Sequence, residues 1–157
     1  MLLDPARGGG GALGCVDPIN AGGQYAVLAA ALSHLETWVR NGTPPPTFPR
    51  IETTGTADAI AVGRDELGIA KGGVRTPIVD VPLAANVGDA TNSPGFCSVF
   101  GHSRPFNATV LEKLYPNGSA SYVKAFANAA RRAVKSGVWL EPEATNFERA
   151  ARQISFP

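Results

Sequence analysis

Glycine and proline set the tightest limit on what this chain can fold into. There are 18 glycines and 13 prolines in 157 residues, nearly a fifth of the chain. Glycine weakens any regular element it interrupts, and proline removes a backbone donor, so long helices and strands must be few and turns many. The run Gly8 to Gly11, directly behind Pro5, Ala6 and Arg7, predicts a flexible lead-in over residues 1–23 rather than an opening strand.

Regular structure is expected where these two residues thin out. Over residues 24–42, Tyr25, Leu28, Ala31, Leu32, Leu35, Trp38 and Val39 recur at helical spacing, which predicts an amphipathic helix. Gly42 suits the position after its last turn, and Pro44, Pro45 and Pro46 forbid continuation. Residues 43–106 read as strand and loop. Short β-prone pieces near 50–53, 59–62 and 78–81 are separated by Gly55, Gly63, Gly68, Gly72 and Gly73. Residues 84–105 read mostly as loop, with the apolar cluster Phe96, Cys97, Val99 and Phe100 expected to tuck into the core.

Residues 107–157 read as C-terminal helices. Asn107 can cap a short helix that Pro116, Asn117 and Gly118 end. A second helix carries Tyr122, Val123, Phe126, Ala130 and Ala133, and a third starts near Pro142 and carries Phe147, Ala150, Ala151 and Ile154. No internal repeat is visible. The length and the 44% hydrophobic content fit one domain with a core of its own.

Fourteen Lys and Arg stand against thirteen Asp and Glu, without long runs of either sign, which argues against nucleic acid or an anionic membrane surface as partner. No stretch approaches the ~20 apolar residues that span a bilayer, and residues 1–13 lack a basic region followed by an apolar core. The chain reads as soluble with no visible export signal, and its compartment stays open.

The inventory for chemistry is thin. His34 and His102 are the only histidines, and the two cysteines have no close His or Cys partners, so neither a metal site nor a cofactor is expected. His34, between Leu32 and Leu35, reads as a structural helix residue. Gly101-His102-Ser103-Arg104-Pro105 approaches the Gly-x-Ser-x-Gly nucleophile elbow, but Pro105 stands where the last glycine belongs and no histidine follows Ser103. No complete catalytic set is therefore assigned. Ser103 with His102 is the minor candidate, and adjacent residues seldom bring their side chains into hydrogen-bonding geometry.

Two other pairs stand out. Arg75 and Asp80 lie in an otherwise apolar, Gly-rich stretch, and either pair with one another or contact a ligand. Cys15 and Cys97 leave two readings open, a disulfide or two buried thiols in a reducing compartment. If joined they would close a long loop and contribute ~3 to 5 kcal/mol in the chain-entropy picture.

Four segments in order carry a resemblance. They are Gly14-Cys15-Val16-Asp17-Pro18-Ile19-Asn20, then Ala30-Ala31-Leu32 with Trp38-Val39-Arg40-Asn41-Gly42-Thr43-Pro44-Pro45. Gly72-Gly73-Val74-Arg75-Thr76-Pro77 with Val79-Asp80-Val81-Pro82 follows, and then Phe100-Gly101 and Pro105-Phe106 ahead of Val138-Trp139-Leu140 and Pro142. Together they resemble the C-terminal half of the "alpha/beta hydrolase domain" family of large bacterial proteins. The resemblance implies an α/β-hydrolase-like fold, here mainly helices with irregular short strands and long Gly/Pro-rich loops. It also implies a serine hydrolase acting on esters or acyl groups, whose nucleophile serine and catalytic histidine stand upstream of this chain. No catalytic residue carries over to a position here.

A hydrolase helix buries its apolar stripe on a central parallel sheet, and few strands for such a sheet are visible. The stripe Tyr25, Leu28, Leu32, Leu35 and Trp38 is then left to seek cover, through self-association or from the missing N-terminal half. Two further function classes stay open, a small esterase using Ser103 and a non-catalytic ligand- or protein-binding module built on residues 72–82.

Overall fold

The computed structural model describes residues 15–20, 22–56, 59–88 and 95–156. Most of the lead-in expected over 1–23 lies outside the described residues. The first helix, α1, runs Gln24–Asn41, and Gly42 closes it in the left-handed region with its N–H on the Trp38 carbonyl at 2.9 Å. Its inward face is small. Ala26 and Ala30 are its buried residues, whereas Tyr25, Leu28, Leu32, Leu35, Trp38 and Val39 are 48% to 78% exposed.

The core gathers around α4, Gly118–Lys135, and α5, Glu141–Ala151. Tyr122, Phe126, Ala129, Ala130 and Ala133 fall on one face of α4, and Ala144, Phe147, Ala150 and Ala151 on one face of α5. Trp139, on the turn between the two helices, stacks on Phe147 at 4.6 Å and leans on Phe126 at 6.3 Å. Tyr115 meets Tyr122 edge-on at 5.2 Å and donates its hydroxyl to the Pro82 carbonyl at 2.9 Å.

The N-terminal end of α1 enters this core through Gly23, whose φ is 67°. A β-carbon there would come within 2.7 Å of the Ile78 Cδ1 and 3.1 Å of the Phe147 Cζ, so only glycine suits both the backbone and the space. Tyr25 stacks on Phe147 at 5.6 Å. Farther along, the His34 Nε2 sits 2.8 Å from the Gly137 carbonyl, which ties α1 to the α4–α5 turn.

The strands are short and antiparallel. β1, Thr53–Thr54, pairs with β2, Ala61–Val62, in the register Thr53 to Val62. β3, Ala84–Val87, pairs with β4, His102–Pro105, from Ala84 opposite Pro105 to Val87 opposite His102. Two sequence expectations change here. Residues 78–81 are not β: Ile78 to Asp80 belong to a single helical turn, α2, Pro77–Asp80, which Val81 closes, because Pro77 at the first helical position presets φ and the Thr76 carbonyl accepts from the Val79 and Asp80 N–H groups. Residues 84–87 and 102–105, read as loop, form the longer ladder.

The cluster around residue 97 also differs from expectation. Cys97 is buried in a 3-10 turn over Gly95–Val99, but Val99 and Phe100 are exposed. The last short helix before α4 is α3, Ala108–Leu114, capped by the Asn107 side chain accepting from the Val110 N–H at 3.0 Å. The result is a mixed α/β architecture, helices with short antiparallel strand pairs, and among the described residues no parallel sheet.

Two outcomes are expected. Phe147→Ala, which empties the site shared by Trp139, Tyr25 and Gly23, should lower unfolding stability by about 3 to 5 kcal/mol, read by urea titration. Burial holds the Tyr115 and Tyr122 phenols well above the usual phenol range, with Tyr115 adding an electrostatic contribution at Tyr122. The folded chain keeps these protons after the unfolded chain has lost them. Their contribution is intact below about pH 10 and is lost as pH rises above it. Stability measured across that range should fall less steeply in Tyr122→Phe than in the parent.

Candidate functional site

The β3–β4 ladder decides where the residues singled out for chemistry go. Asn86 stands opposite Ser103, and Val87 opposite His102. Side chains on a strand alternate between faces, so Ser103 and His102 point apart. The Ser103 side is filled by its cross-strand neighbour. Its hydroxyl donates to the Asn86 Oδ1 at 2.6 Å, with the Ile19 carbonyl a longer acceptor at 3.4 Å, and the residue is 0% exposed.

His102 lies on the other face, 2% exposed, and neither ring nitrogen has a hydrogen-bond partner among the described residues. His34, the other histidine, is engaged with the Gly137 carbonyl on the α4–α5 turn. No histidine is hydrogen-bonded to a serine among the described residues. A serine needs an adjacent base to become a nucleophile, and the described arrangement gives Ser103 an amide instead.

The backbone around Ser103 is equally occupied. Ile19 bridges to His102 in antiparallel fashion, and the Ser103 N–H donates to the Pro18 carbonyl at 2.8 Å. Asn20 donates its amide to the Val87 carbonyl at 3.3 Å and accepts from the Gly22 N–H at 2.8 Å, which turns the chain toward α1. Residues 18–20 thus meet the edge of the ladder through a single bridge at Ile19 and the hydrogen bonds beside it. The Cys15–Cys97 disulfide anchors the chain ahead of them to the 3-10 turn that precedes β4. Gly101, at positive φ, makes the tight entry into β4, where any β-carbon would run into the Val87 carbonyl.

Arg75 and Asp80 are brought together. The Arg75 Nε meets the Asp80 Oδ1 at 2.7 Å, and the same guanidinium donates to the Ala70 carbonyl at 3.0 Å. Both side chains are partly exposed, so the pair holds the 70–80 turn in shape and contributes at most about 1 kcal/mol. It leaves the guanidinium partly occupied for any ligand.

A groove of about 490 Å³ opens between the first half of α1 and residues 74–79, lined by Asn20, Gln24, Leu28, Val74, Thr76 and Asn86 among others. Asn86 connects it to the buried Ser103 hydroxyl. Sequence reading did not single out Asn86, because an isolated Asn between apolar residues carries no signal until the strand register is known. Among the described residues no three His, Cys, Asp or Glu side chains gather as a metal site would require, and no helix is long and apolar enough to cross a membrane.

A family model described as "Alpha/beta hydrolase domain" matches residues 3–149. The chain belongs to that family, which places it in a hydrolase-type setting and agrees with the mixed α/β architecture. No curated protein and no solved structure matches the chain.

The disulfide and the ladder it anchors give a further expectation. Changing both Cys15 and Cys97 to Ser frees a connection spanning 82 residues and should cost on the order of 4 kcal/mol in denaturant titration. Amide exchange at Ser103, whose N–H is held by Pro18, should speed up in the same variant.

Proposed function

We propose that this chain serves a serine-hydrolase-type reaction, hydrolysis of an ester or acyl bond, without supplying the nucleophile itself. On this reading the nucleophile serine and the catalytic histidine come from outside the described residues, and the chain contributes surrounding structure. Membership of the hydrolase family supports the reaction class. The observation that carries the rest is the state of Ser103, fully buried with its hydroxyl donated to the Asn86 amide oxygen, while neither histidine is bonded to a serine among the described residues.

Its location in the chain argues the same way. A nucleophile elbow lifts the serine on a strained strand-to-helix turn, open to substrate. Ser103 is instead the second residue of β4, and among the described residues only glycines have positive φ.

Intact-mass analysis after incubation with a fluorophosphonate probe tests this. The folded wild-type chain should stay unlabelled, as should Ser103→Ala. Stoichiometric labelling of the wild type that Ser103→Ala abolishes would replace this reading with a small esterase built on Ser103.

A further inference from the structure

Apart from Tyr25, one ring face of which stacks on Phe147, the outer face of α1 has no partner among the described residues, and its pattern is specific. Tyr25, Leu28, Leu32, Leu35 and Val39 follow one another in alternating steps of three and four, which is the a/d spacing of a helix–helix seam. All five are about half exposed or more. Trp38, also half exposed, flanks the row. Ala26 and Ala30 already fill the side turned toward the core, so the large row cannot be the helix's own inward face.

Charge does nothing to keep this row apart from an identical one. Between Gln24 and Leu35 the helix has no Lys, Arg, Asp or Glu. Glu36 and Arg40, the charged residues of α1, pair with each other at 3.0 Å. The net charge of the whole chain is +1, too small for two copies to repel strongly.

We infer that the occupant of this face is a second copy of the chain, with the two α1 helices packed as a two-fold pair. A row spaced in threes and fours offers both ridges and matching grooves, so it interlocks with itself at a shallow crossing angle. Leu32 is the middle residue of the row and meets its own counterpart whether the helices run parallel or antiparallel. The area is adequate. Six half-exposed side chains of this size present on the order of 600 Å² per helix, so a pair that covers most of it removes roughly 1,000 Å², the least that a specific interface buries.

Light scattering coupled to size exclusion, over a concentration series reaching about 100 μM, reads the outcome directly. The expected mass at the upper end is twice the 16.3 kDa of one chain. Leu32→Glu and, separately, Leu35→Lys should each return it to a single-chain mass with unchanged helical circular dichroism, since both side chains face solvent in the single chain. A single-chain mass for the wild type throughout would overturn the inference. So would a dimer that both variants retain, or polydisperse aggregates in place of a dimer, which would point to a different polypeptide as the natural cover.

Discussion

The ring of Phe147 is where the helical part of this fold is decided. It is fully buried, stacked on Trp139 at one side and on Tyr25 at another, and it leaves at Gly23 no room for a side chain. One residue of α5 thus sets how closely the N-terminus of α1 and the α4–α5 turn approach. Stacked aromatic pairs add about 0.5 to 1.5 kcal/mol beyond their area, and here two such pairs share one ring. Ile78, on α2, fills the other side of Gly23, so the short turn built by Pro77 is fixed by the same contact.

This close approach explains why α1 is turned as it is. A helix can come near a crowded aromatic core only with small residues between, and Ala26 and Ala30 provide them. The leucines and Trp38 are left outside as a consequence. The ordinary amphipathic rule, large apolar side chains toward the core, is inverted for this helix within the described structure. The rest of the helical region obeys the rule: α4 and α5 bury their aromatic residues and expose Arg131, Arg132 and Arg149.

These differences mark how far the sequence could be read. α1, α3, α4 and α5 were legible because each carries its own periodicity and punctuation, such as Gly42 after α1, Asn107 before α3 and Pro142 at the start of α5. The β3–β4 ladder was not. Ala84, Ala85 and Asn86 have little strand preference, and their pairing with residues 102–105 is a non-local matter that no window of sequence contains. The segment at 78–81 misled for a different reason, since Ile78, Val79 and Val81 favour strands while Pro77 quietly presets a helical turn. Asn86 escaped notice with the ladder, because its role beside Ser103 exists only once the register is set.

The ladder also explains how a serine in an elbow-like sequence comes to be buried and hydrogen-bonded within a strand. Gly101 spends its positive φ on entering a strand rather than on a turn beneath the serine, and Pro105 ends that strand opposite Ala84. In between, alternation sends His102 and Ser103 to opposite faces, and the free edge of β4 is met by Pro18 and Ile19. The residue types of Gly-x-Ser are present, yet each is used for pairing rather than presentation. Sharing a family with hydrolases describes the scaffold, while catalysis belongs to a particular geometry on it. At Ser103 the backbone forms a hydrogen-bonded strand, whereas a nucleophile elbow lifts its serine out of one.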